Sequence, residues 1–493
     1  MHVFSLAVLV CGIGLPLWLR RYSERQHANR RPEAKLPSYL WRVLPAISIV
    51  AFLCWCSGAS KIDDSFIYAR YVENALAGHG MVFNVGEHVN ALTSPLFAYL
   101  LLLCSWILHG NVLLATILLS VFFMMAACAV AEIVVPFSGL LLAGTAYFYE
   151  LVGMETSLFV FLLLICIALL KFERYNWLPL CGLLTVLSRF EGGLLVVLIA
   201  LEMYRRKTAP AWTALIPPIA VTGAYLILNH SYYDAYLPSS AIAKLGQGFS
   251  GYWGRWPTAF LGHLELLQEP FQATLYLVPI LLGLATAGLV SRSSPLLNRI
   301  ALPFCSLLLL FYVGFNMTGL YFWYFAPFIL FAVLYAAHSI PRTRASYVIA
   351  GGFIALLVAL NANFLRQPRQ ERRYAGYVDA GQWLRNNTPA NARIAAVEIG
   401  FLGWYSQRYL IDIVGLTTPK NAEHVAQRDL AAWLREDRPD YILLHDAPWP
   451  WEQYAKQSTD YIREPVKLSG GIYLVRRRDY RVQVAGLSTL PTR

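Results

Sequence analysis

Long apolar runs separated by short polar segments make up most of the first 361 residues. Several runs reach the roughly 20 residues that a helix needs to cross a bilayer. Two runs, 178–188 and 193–204, are too short to cross alone and predict a broken pair of helices. The apolar segment 137–152 predicts a half-span or an interfacial segment. Spans are predicted near 1–19, 43–59, 94–109, 112–135, 154–170, 178–188, 193–204, 211–229, 271–290, 300–316, 322–339 and 345–361.

The composition agrees with this pattern. The chain has 493 residues, of which 57% are hydrophobic and 14% charged, whereas soluble domains carry about 25% charged residues. We therefore expect a polytopic α-helical membrane protein with about 12–13 spans. The net charge of +11 does not by itself indicate a nucleic-acid partner, because Lys and Arg also set the orientation of membrane proteins.

The last part of the chain, residues 362–493, is charged and contains no predicted span. Short apolar runs alternate there with helical segments, which is typical of a small soluble α/β domain. Helices are predicted at 371–387 and 427–436, and strands at 394–397, 409–412, 441–444 and 471–475. Three regions are thus expected: an extra N-terminal span with a basic cytoplasmic loop over 1–42, a transmembrane domain over 43–361 with outer loops 61–95 and 230–270, and the α/β domain over 362–493.

The distribution of Lys and Arg predicts the orientation. If the N-terminus lies outside, the cytoplasmic loops hold 16 of these residues and the opposite loops before residue 362 hold five. This ratio follows the positive-inside rule. It places the loops 61–95 and 230–270 and the α/β domain on the outer face, which in a bacterium is the periplasmic side of the inner membrane.

The most distinctive stretch is 61–95, which contains two adjacent carboxylates, Asp63 and Asp64. Carboxylates at a membrane surface are costly to desolvate and often mark a site. After them, apolar residues recur at a helical period until Gly78, which predicts an amphipathic helix lying on the bilayer. One Asp can cap this helix, and the other can act as a general base toward a sugar hydroxyl.

The same stretch follows a longer fixed pattern, D-D-[AS]-F-I…R-Y-x-x-N…G-x-G-x-V-F-N-x-G-E-x-V…T-S-x-L. It resembles the first outer loop of the GT-C glycosyltransferases, and within them the terminal β-(1→2)-arabinofuranosyltransferase branch of the mycobacterial cell wall. So many matches within 34 residues make the resemblance specific. The matching positions are Asp63, Asp64, Phe66, Ile67, Arg70, Tyr71, Asn74, Gly78, Gly80, Val82, Phe83, Asn84, Gly86, Glu87, Val89, Thr93, Ser94 and Leu96.

Other segments extend the resemblance over most of the chain after residue 60. They are 153–159, 188–192, 233–244, 398–406 and 411–416. Phe190 stands where the family pattern R-P-E-G has Pro. Residues 1–42 lie outside the pattern.

The resemblance implies a GT-C-like transmembrane fold and a defined chemistry. A sugar would pass from a polyprenyl-phosphate donor, which lies among the membrane lipids, to a glycan or protein acceptor. The resemblance to this branch favours arabinofuranose as the sugar. Asp64 or Asp63 would take the proton of the acceptor hydroxyl. The leaving phosphate needs cations, for which Arg189 and Lys244 are candidates. Further donor- or acceptor-binding candidates are Tyr68, Arg70, Asn74, Asn84, Thr93, Ser94, Glu155, Glu191 and Tyr321.

Several of these residues also have structural explanations. Glu155 can be a helix N-terminal charge, and Arg189 and Glu191 can form a salt bridge with each other or with a neighbour. Lys244 can be solvated, and Tyr321 can belong to an interfacial aromatic belt.

Two other functions fit parts of the sequence. A transporter or flippase of lipid-linked sugars would also show broken helices and charges in the membrane, and a scaffold would use the α/β domain to bind partners. No P-loop, GxGxxG, GxSxG or HExxH motif is present. No metal site is predicted, although the sequence leaves open whether a divalent cation assists. It also leaves open whether the transfer inverts or retains configuration and whether the sugar is a pentose or a hexose.

Overall fold

The computed structural model describes residues 36–58, 62–255, 257–262, 264, 278–290, 295–319, 321–341, 343–366 and 372–480. The predicted span 1–19 and most of the basic loop that follows it lie outside these residues. Contacts divide the chain into two compact units. The membrane unit comprises 1–62, 93–232 and 253–368, and the sheet unit comprises 63–92, 233–252 and 369–493.

The described helices are numbered in chain order. They are α1 Leu36–Ser57, α2 Asp63–Leu76, α3 Pro95–Ile107, α4 Val112–Val134, α5 Ser138–Ala143, α6 Tyr147–Glu150, α7 Thr156–Lys171, α8 Leu178–Ser188, α9 Gly192–Arg205, α10 Ile216–Tyr233, α11 Ser239–Ser250, α12 Thr258–Leu261, α13 Val278–Val290, α14 Pro295–Gly314, α15 Ala326–His338, α16 Arg344–Arg366, α17 Arg372–Asn387, α18 Gly400–Ser406, α19 Pro419–Gln427, α20 Ala432–Asp437 and α21 Gln453–Gln457.

Among the described residues, five helices are long and apolar enough to cross a membrane by themselves: Tyr39–Ser57, Val112–Val134, Trp212–Tyr233, Pro295–Gly314 and Arg344–Arg366. Shorter apolar helices occupy other predicted spans, at Pro95–Ile107, Thr156–Lys171, Ile280–Val290 and Phe322–His338. The chain is a multi-pass α-helical membrane protein, as its apolar pattern predicts. The predicted broken pair is confirmed as α8 and α9, and the apolar segment 137–152 contains two short helices, α5 and α6.

Helix α4 lies at the centre of the membrane unit. It packs against α1, α3, α5 and α7 within that unit. Small residues explain this central position, since Ala127, Cys128, Ala129 and Ala131 are completely buried. Small side chains let neighbouring helix backbones approach closely where the bilayer supplies no hydrophobic driving force.

The sheet unit contains a five-stranded sheet of order β2-β1-β3-β5-β4. Strands β2, β1 and β3 are parallel to one another, and β5 runs antiparallel to both of its neighbours, β3 and β4. The strands are β1 Arg393–Ala396, β2 Tyr409–Asp412, β3 Tyr441–His445, β4 Tyr461–Arg463 and β5 Ile472–Arg477. The predicted small α/β domain is confirmed. The sequence did not predict β4, whose three residues lack the buried apolar pattern of the other strands.

Two segments that precede the soluble region in sequence also belong to the sheet unit. Helix α2 packs against α18, and helix α11 packs against α19. Most residues of α2 are buried, including Phe66, Arg70 and Asn74. The predicted helix is therefore present, and α18 packs against it within the sheet unit.

Candidate functional site

Two adjacent carboxylates open α2, and their surroundings differ. Asp63 is buried, and its two oxygens accept hydrogen bonds from the backbone N–H groups of Gly400 at 2.8 Å and Phe401 at 2.7 Å. These N–H groups lie in the first turn of α18, where no carbonyl of the same helix can accept them. Asp63 therefore caps α18, a helix more than 300 residues away in sequence.

The contact between Asp63 and α18 requires a glycine. A Cβ atom added at Gly400 would lie 1.9 Å from the backbone oxygen of Asp63. No side chain can be accommodated at that distance, so Gly400 allows the close approach that places its N–H group on the carboxylate.

Burial also changes the acidity of Asp63. It raises the pKa of Asp63 to about 8, the negative charges of Glu398 and Asp64 add to the rise, and the two N–H donors of α18 oppose it. Asp64 is half-buried rather than buried. A general base must be reachable by the group that it deprotonates, and both oxygens of buried Asp63 already accept N–H groups of α18. Asp64 is thus the more accessible of the two carboxylates.

The guanidinium of Arg70 is fully engaged by the backbone of the sheet unit. Its three nitrogens donate to the carbonyls of Phe83 at 2.8 Å, Gly403 at 2.6 Å and Arg408 at 2.5 Å. Burial lowers the pKa of Arg70 to about 10, which leaves the group charged at neutral pH. Arg70 thus joins α2 to the loop that follows it and to the end of α18.

The two asparagines of the pattern have similar roles. Asn74 Nδ2 donates to the carbonyls of Val82 at 2.8 Å and Phe83 at 3.0 Å. The side chain of Asn84 pairs with both backbone groups of Leu410, donating to its carbonyl at 2.8 Å and accepting from its N–H at 3.0 Å. Because β2 is an edge strand, its outward backbone groups need such partners.

A second contact joins the same loop to β2. Tyr409 Oη donates to Glu87 Oε1, and Asn84 Nδ2 lies 3.1 Å from the other oxygen of Glu87. Tyr68, also a predicted binding residue, is buried on α2. The structure therefore brings Tyr68, Arg70, Asn74 and Asn84 together in one place, but three of them use their polar groups to hold the sheet unit together.

Another buried carboxylate organises the turn after β2. Asp412 accepts backbone hydrogen bonds from Val414 and Thr417, both at 2.9 Å. Burial raises the pKa of Asp412 to about 6, while these N–H groups lower it. Asp412 belongs to the segment 411–416 that carries part of the resemblance, and here it shapes a turn.

The membrane unit contains a separate cluster of charges at the break between α8 and α9. Arg189 Nη1 lies 2.6 Å from Glu155 Oε1, and Arg189 Nε lies 2.6 Å from Glu191 Oε1. Tyr312 Oη donates to the same oxygen of Glu191 at 3.0 Å. The guanidinium also lies 5.2 Å from the centre of the Tyr324 ring. The predicted salt bridge of Arg189 with Glu191 is present, and Glu155 joins it.

The balance of charge in this cluster bears on its chemistry. Two carboxyl groups surround one guanidinium, so acidic groups outnumber basic ones in this cluster. The second oxygen of Glu155, Oε2, is buried and has no hydrogen-bond partner in the described part of the chain. Such an oxygen can accept a hydrogen bond from a hydroxyl group. A phosphate would be repelled by the second carboxylate of the cluster.

Four predicted site residues remain, and none of them belongs to the clusters described above: Thr93, Ser94, Lys244 and Tyr321. In the membrane unit, Ser94 Oγ accepts from Phe97 N at 3.4 Å as the N-cap of α3, and half-buried Thr93 precedes it. Tyr321 stacks on Trp323 with ring centres 5.2 Å apart. In the sheet unit, Lys244 is half-buried on α11.

Sequence reasoning missed two contributors. Tyr312 lies in an apolar span, where no pattern distinguishes it from core aromatics. Glu398 raises the pKa of Asp63. It lies two residues before Gly400, within the segment 398–406 that carries part of the resemblance, and this position could have indicated it. Among the described residues, no group of three or more His, Cys, Asp or Glu side chains could hold a metal ion.

Comparison with solved structures identifies the fold. The crystal structure of ArnT from Cupriavidus metallidurans bound to undecaprenyl phosphate matches over 90% of this chain and 98% of that chain, with a TM-score of 0.58 and 13% identity. The chain therefore has the fold of the GT-C glycosyltransferases, as the resemblance implies.

Comparison with curated sequences finds similarity to two arabinofuranosyltransferases. The chain is 40% identical over 70 residues to the terminal β-(1→2)-arabinofuranosyltransferase of Mycobacterium tuberculosis. It is 27% identical over 244 residues to the protein of the same name from Corynebacterium glutamicum. The matches cover 14% and 41% of this chain, and only 11% and 36% of the relatives. A family model described as a domain of unknown function (DUF8728) matches residues 363–485.

Proposed function

We propose that the chain is a membrane glycosyltransferase that moves a sugar from a polyprenyl-phosphate donor to a glycan or protein acceptor. The GT-C fold and the similarity to arabinofuranosyltransferases support this activity and favour arabinofuranose as the sugar. The observation that carries the proposal is the division of the acidic pair. Asp63 is occupied by the N–H groups of α18, and half-buried Asp64 beside it remains the candidate base.

The proposed reaction uses Asp64 as a general base. The acceptor hydroxyl oxygen bonds to the anomeric carbon while the bond from that carbon to the phosphate oxygen breaks. Asp64 takes the hydroxyl proton, and the polyprenyl phosphate leaves with the bonding electrons. The anomeric configuration of the product shows whether the transfer inverts or retains.

The charged residues are proposed to divide the binding roles. Arg189 is proposed to position Glu155, because its charge is balanced by Glu155 and Glu191, and Lys244 is proposed to contact the leaving phosphate. Glu155 Oε2 is proposed to accept a hydroxyl of the donor or acceptor sugar. Arg189 and Glu191 then hold Glu155 in place.

The location is proposed from the charges of the loops. The positive-inside distribution supports a bacterial inner membrane protein whose sheet unit faces the periplasm, where lipid-linked sugars and cell-envelope acceptors meet.

The activity is tested with the purified full chain, a radiolabelled polyprenyl-phosphate sugar and an acceptor glycan. We expect a labelled glycoside with the natural chain and, for Asp64→Asn, a loss of about 10²–10⁴-fold, the usual contribution of a general base. Asp460→Asn removes an exposed acid of the same unit and is the matched control. An Asp64→Asn protein that folds and transfers sugar at the natural rate would overturn the assignment.

The same assay separates the transferase from the alternative functions. A flippase would move the lipid-linked sugar across vesicle membranes and leave it attached to its carrier. A scaffold would form no product and would tolerate both Asp64→Asn and Asp63→Asn in cells, provided that each variant folds.

A further inference from the structure

An apolar groove runs along α16 in the membrane unit. It lies between α16 and α1, and Leu140 of α5 contributes to its wall. Its volume is about 730 Å³, within the range of about 300–1,000 Å³ that small-molecule sites occupy. The carboxylate cluster of Arg189 does not contribute to its lining, so the groove is distinct from the charged residues assigned above.

The sequence of α16 explains why the groove exists. Gly351, Ala355, Ala359 and Ala362 line it and recur every three or four residues, which places them on one face of the helix. Small side chains leave space where larger ones would fill it. From residue 351 to residue 366 the groove extends about 22 Å along the helix axis, more than half of a hydrocarbon core about 30 Å thick.

One end of the groove is positively charged. The exposed guanidinium of Arg366 lies 5.5 Å from the ring centre of Phe52 and 5.1 Å from that of Trp55. Within the described ranges, no carboxylate forms an ion pair with Arg366. Aromatic faces hold a cation in position, and Trp is typical of the level of the lipid headgroups. The aromatic rings therefore orient the cation, and no carboxylate of the described residues pairs with it.

We propose that this groove binds an anionic glycerophospholipid of the surrounding bilayer. Its phosphate pairs with Arg366, and one acyl chain lies along the small-residue face of α16. Charge complementarity selects an anionic headgroup, at about 1 kcal/mol per basic residue near the membrane surface, or about fivefold in affinity. Bulk phospholipid outnumbers every other lipid, so mass action fills an open groove with it.

The site goes beyond sugar transfer, because the lipid is neither donor nor acceptor. It would add to the direct contacts between the spans α1 and α16, among them the stacking of Arg366 on Phe52 and Trp55.

The test measures lipid retained by the full chain. The protein is purified in detergent, depleted of lipid and then offered phosphatidylglycerol or phosphatidylethanolamine, and bound lipid is counted by native mass spectrometry. The natural chain should retain phosphatidylglycerol more strongly. Arg366→Gln should weaken that retention about fivefold, while Arg344→Gln, at the other end of α16, should not change it.

A second variant tests the apolar part of the groove. Ala359→Phe fills the groove and should lower the retention of both lipids, while Leu356→Phe, on an exposed face of the same helix, should not. Two results would overturn the proposal. Equal retention in all variants would mean that another segment, such as the apolar residues 1–19, covers the groove. Displacement of phosphatidylglycerol by equimolar undecaprenyl phosphate would mean that the occupant is the sugar carrier.

Discussion

At the scale of single residues, two neighbouring acids have separate tasks. Asp63 caps the N–H groups of α18 and packs against Gly400, whereas Asp64 is half-buried. Adjacent residues at the start of a helix point in different directions, so one can be enclosed by the protein while the other faces a different environment. A sequence pattern that marks both positions therefore combines a structural residue with a candidate catalytic one.

Asp63→Asn should destabilise the protein rather than act on the chemistry. The amide can present only one oxygen, so its NH₂ group would face an N–H group of α18 and leave it unsatisfied. We expect a loss of about 1–3 kcal/mol, seen as a lower thermal midpoint and a lower yield of the full chain. Asp64→Asn, the matched variant, should keep the natural midpoint. Equal midpoints for Asp63→Asn and the natural chain would show that the capping contact contributes nothing.

At the scale of elements, the loop after α2 is held by side chains that donate hydrogen bonds to backbone carbonyls. Arg70, Asn74 and Asn84 each direct side-chain donors at main-chain oxygens of the sheet unit. A loop that lacks regular hydrogen bonding has many such groups to satisfy. Polar side chains at defined positions satisfy them and determine the path of residues 77–92.

Arg70→Lys should loosen this loop, although it keeps the charge. A lysine ammonium cannot reproduce the planar fork that reaches Phe83, Gly403 and Arg408. We expect a loss of about 2–3 kcal/mol and faster cleavage within 77–92 in limited proteolysis. Arg385→Lys, on the exposed side of α17, is the control. If both variants resist protease like the natural chain, the three contacts do not hold the loop.

The break between α8 and α9 gives a second case at this scale. Arg189→Gln would leave Glu155 and Glu191 as uncompensated buried carboxylates, which costs about 3–5 kcal/mol. The triple variant with Glu155→Gln and Glu191→Gln removes that repulsion and should recover most of the thermal midpoint. Both proteins should lack transferase activity if Glu155 contacts the sugar. A triple variant as unstable as Arg189→Gln would show that repulsion is not the cause.

At the scale of the whole molecule, a multi-pass membrane unit with the GT-C fold is combined with a sheet unit assembled from three separate parts of the chain. Residues 63–92 and 233–252 cluster with 369–493, although long apolar stretches separate them in sequence. If the positive-inside distribution sets the orientation, all three parts emerge on the same side of the membrane, where they can fold together.

The orientation predicts the behaviour of reporter fusions. Alkaline phosphatase, which is active only outside the cytoplasm, should be active when fused after the sheet unit. It should be inactive when fused after Lys207, in a loop assigned to the cytoplasm. The reverse pattern would place the sheet unit in the cytoplasm and contradict the proposed periplasmic site.

The chain's local patterns were enough to predict much of this architecture. Apolar runs identify the spans because a bilayer requires about 20 apolar residues for each crossing, and the strands at 409–412 and 441–444 follow from short apolar runs between polar segments. The pairing of Arg189 with Glu191 could also be predicted, since both residues lie at the same helix break.

Only the tertiary structure decided which polar residues are structural. Asp63, Arg70 and Asn84 find their partners more than 300 residues away, and no local period records a contact over that separation. The partners are mostly backbone N–H and C=O groups, which every residue type carries, so the sequence around them holds no sign of the contact. Ligand-binding residues and structural residues thus look alike in the sequence. Burial and specific hydrogen bonds, which only the structure shows, distinguish the two kinds of residue.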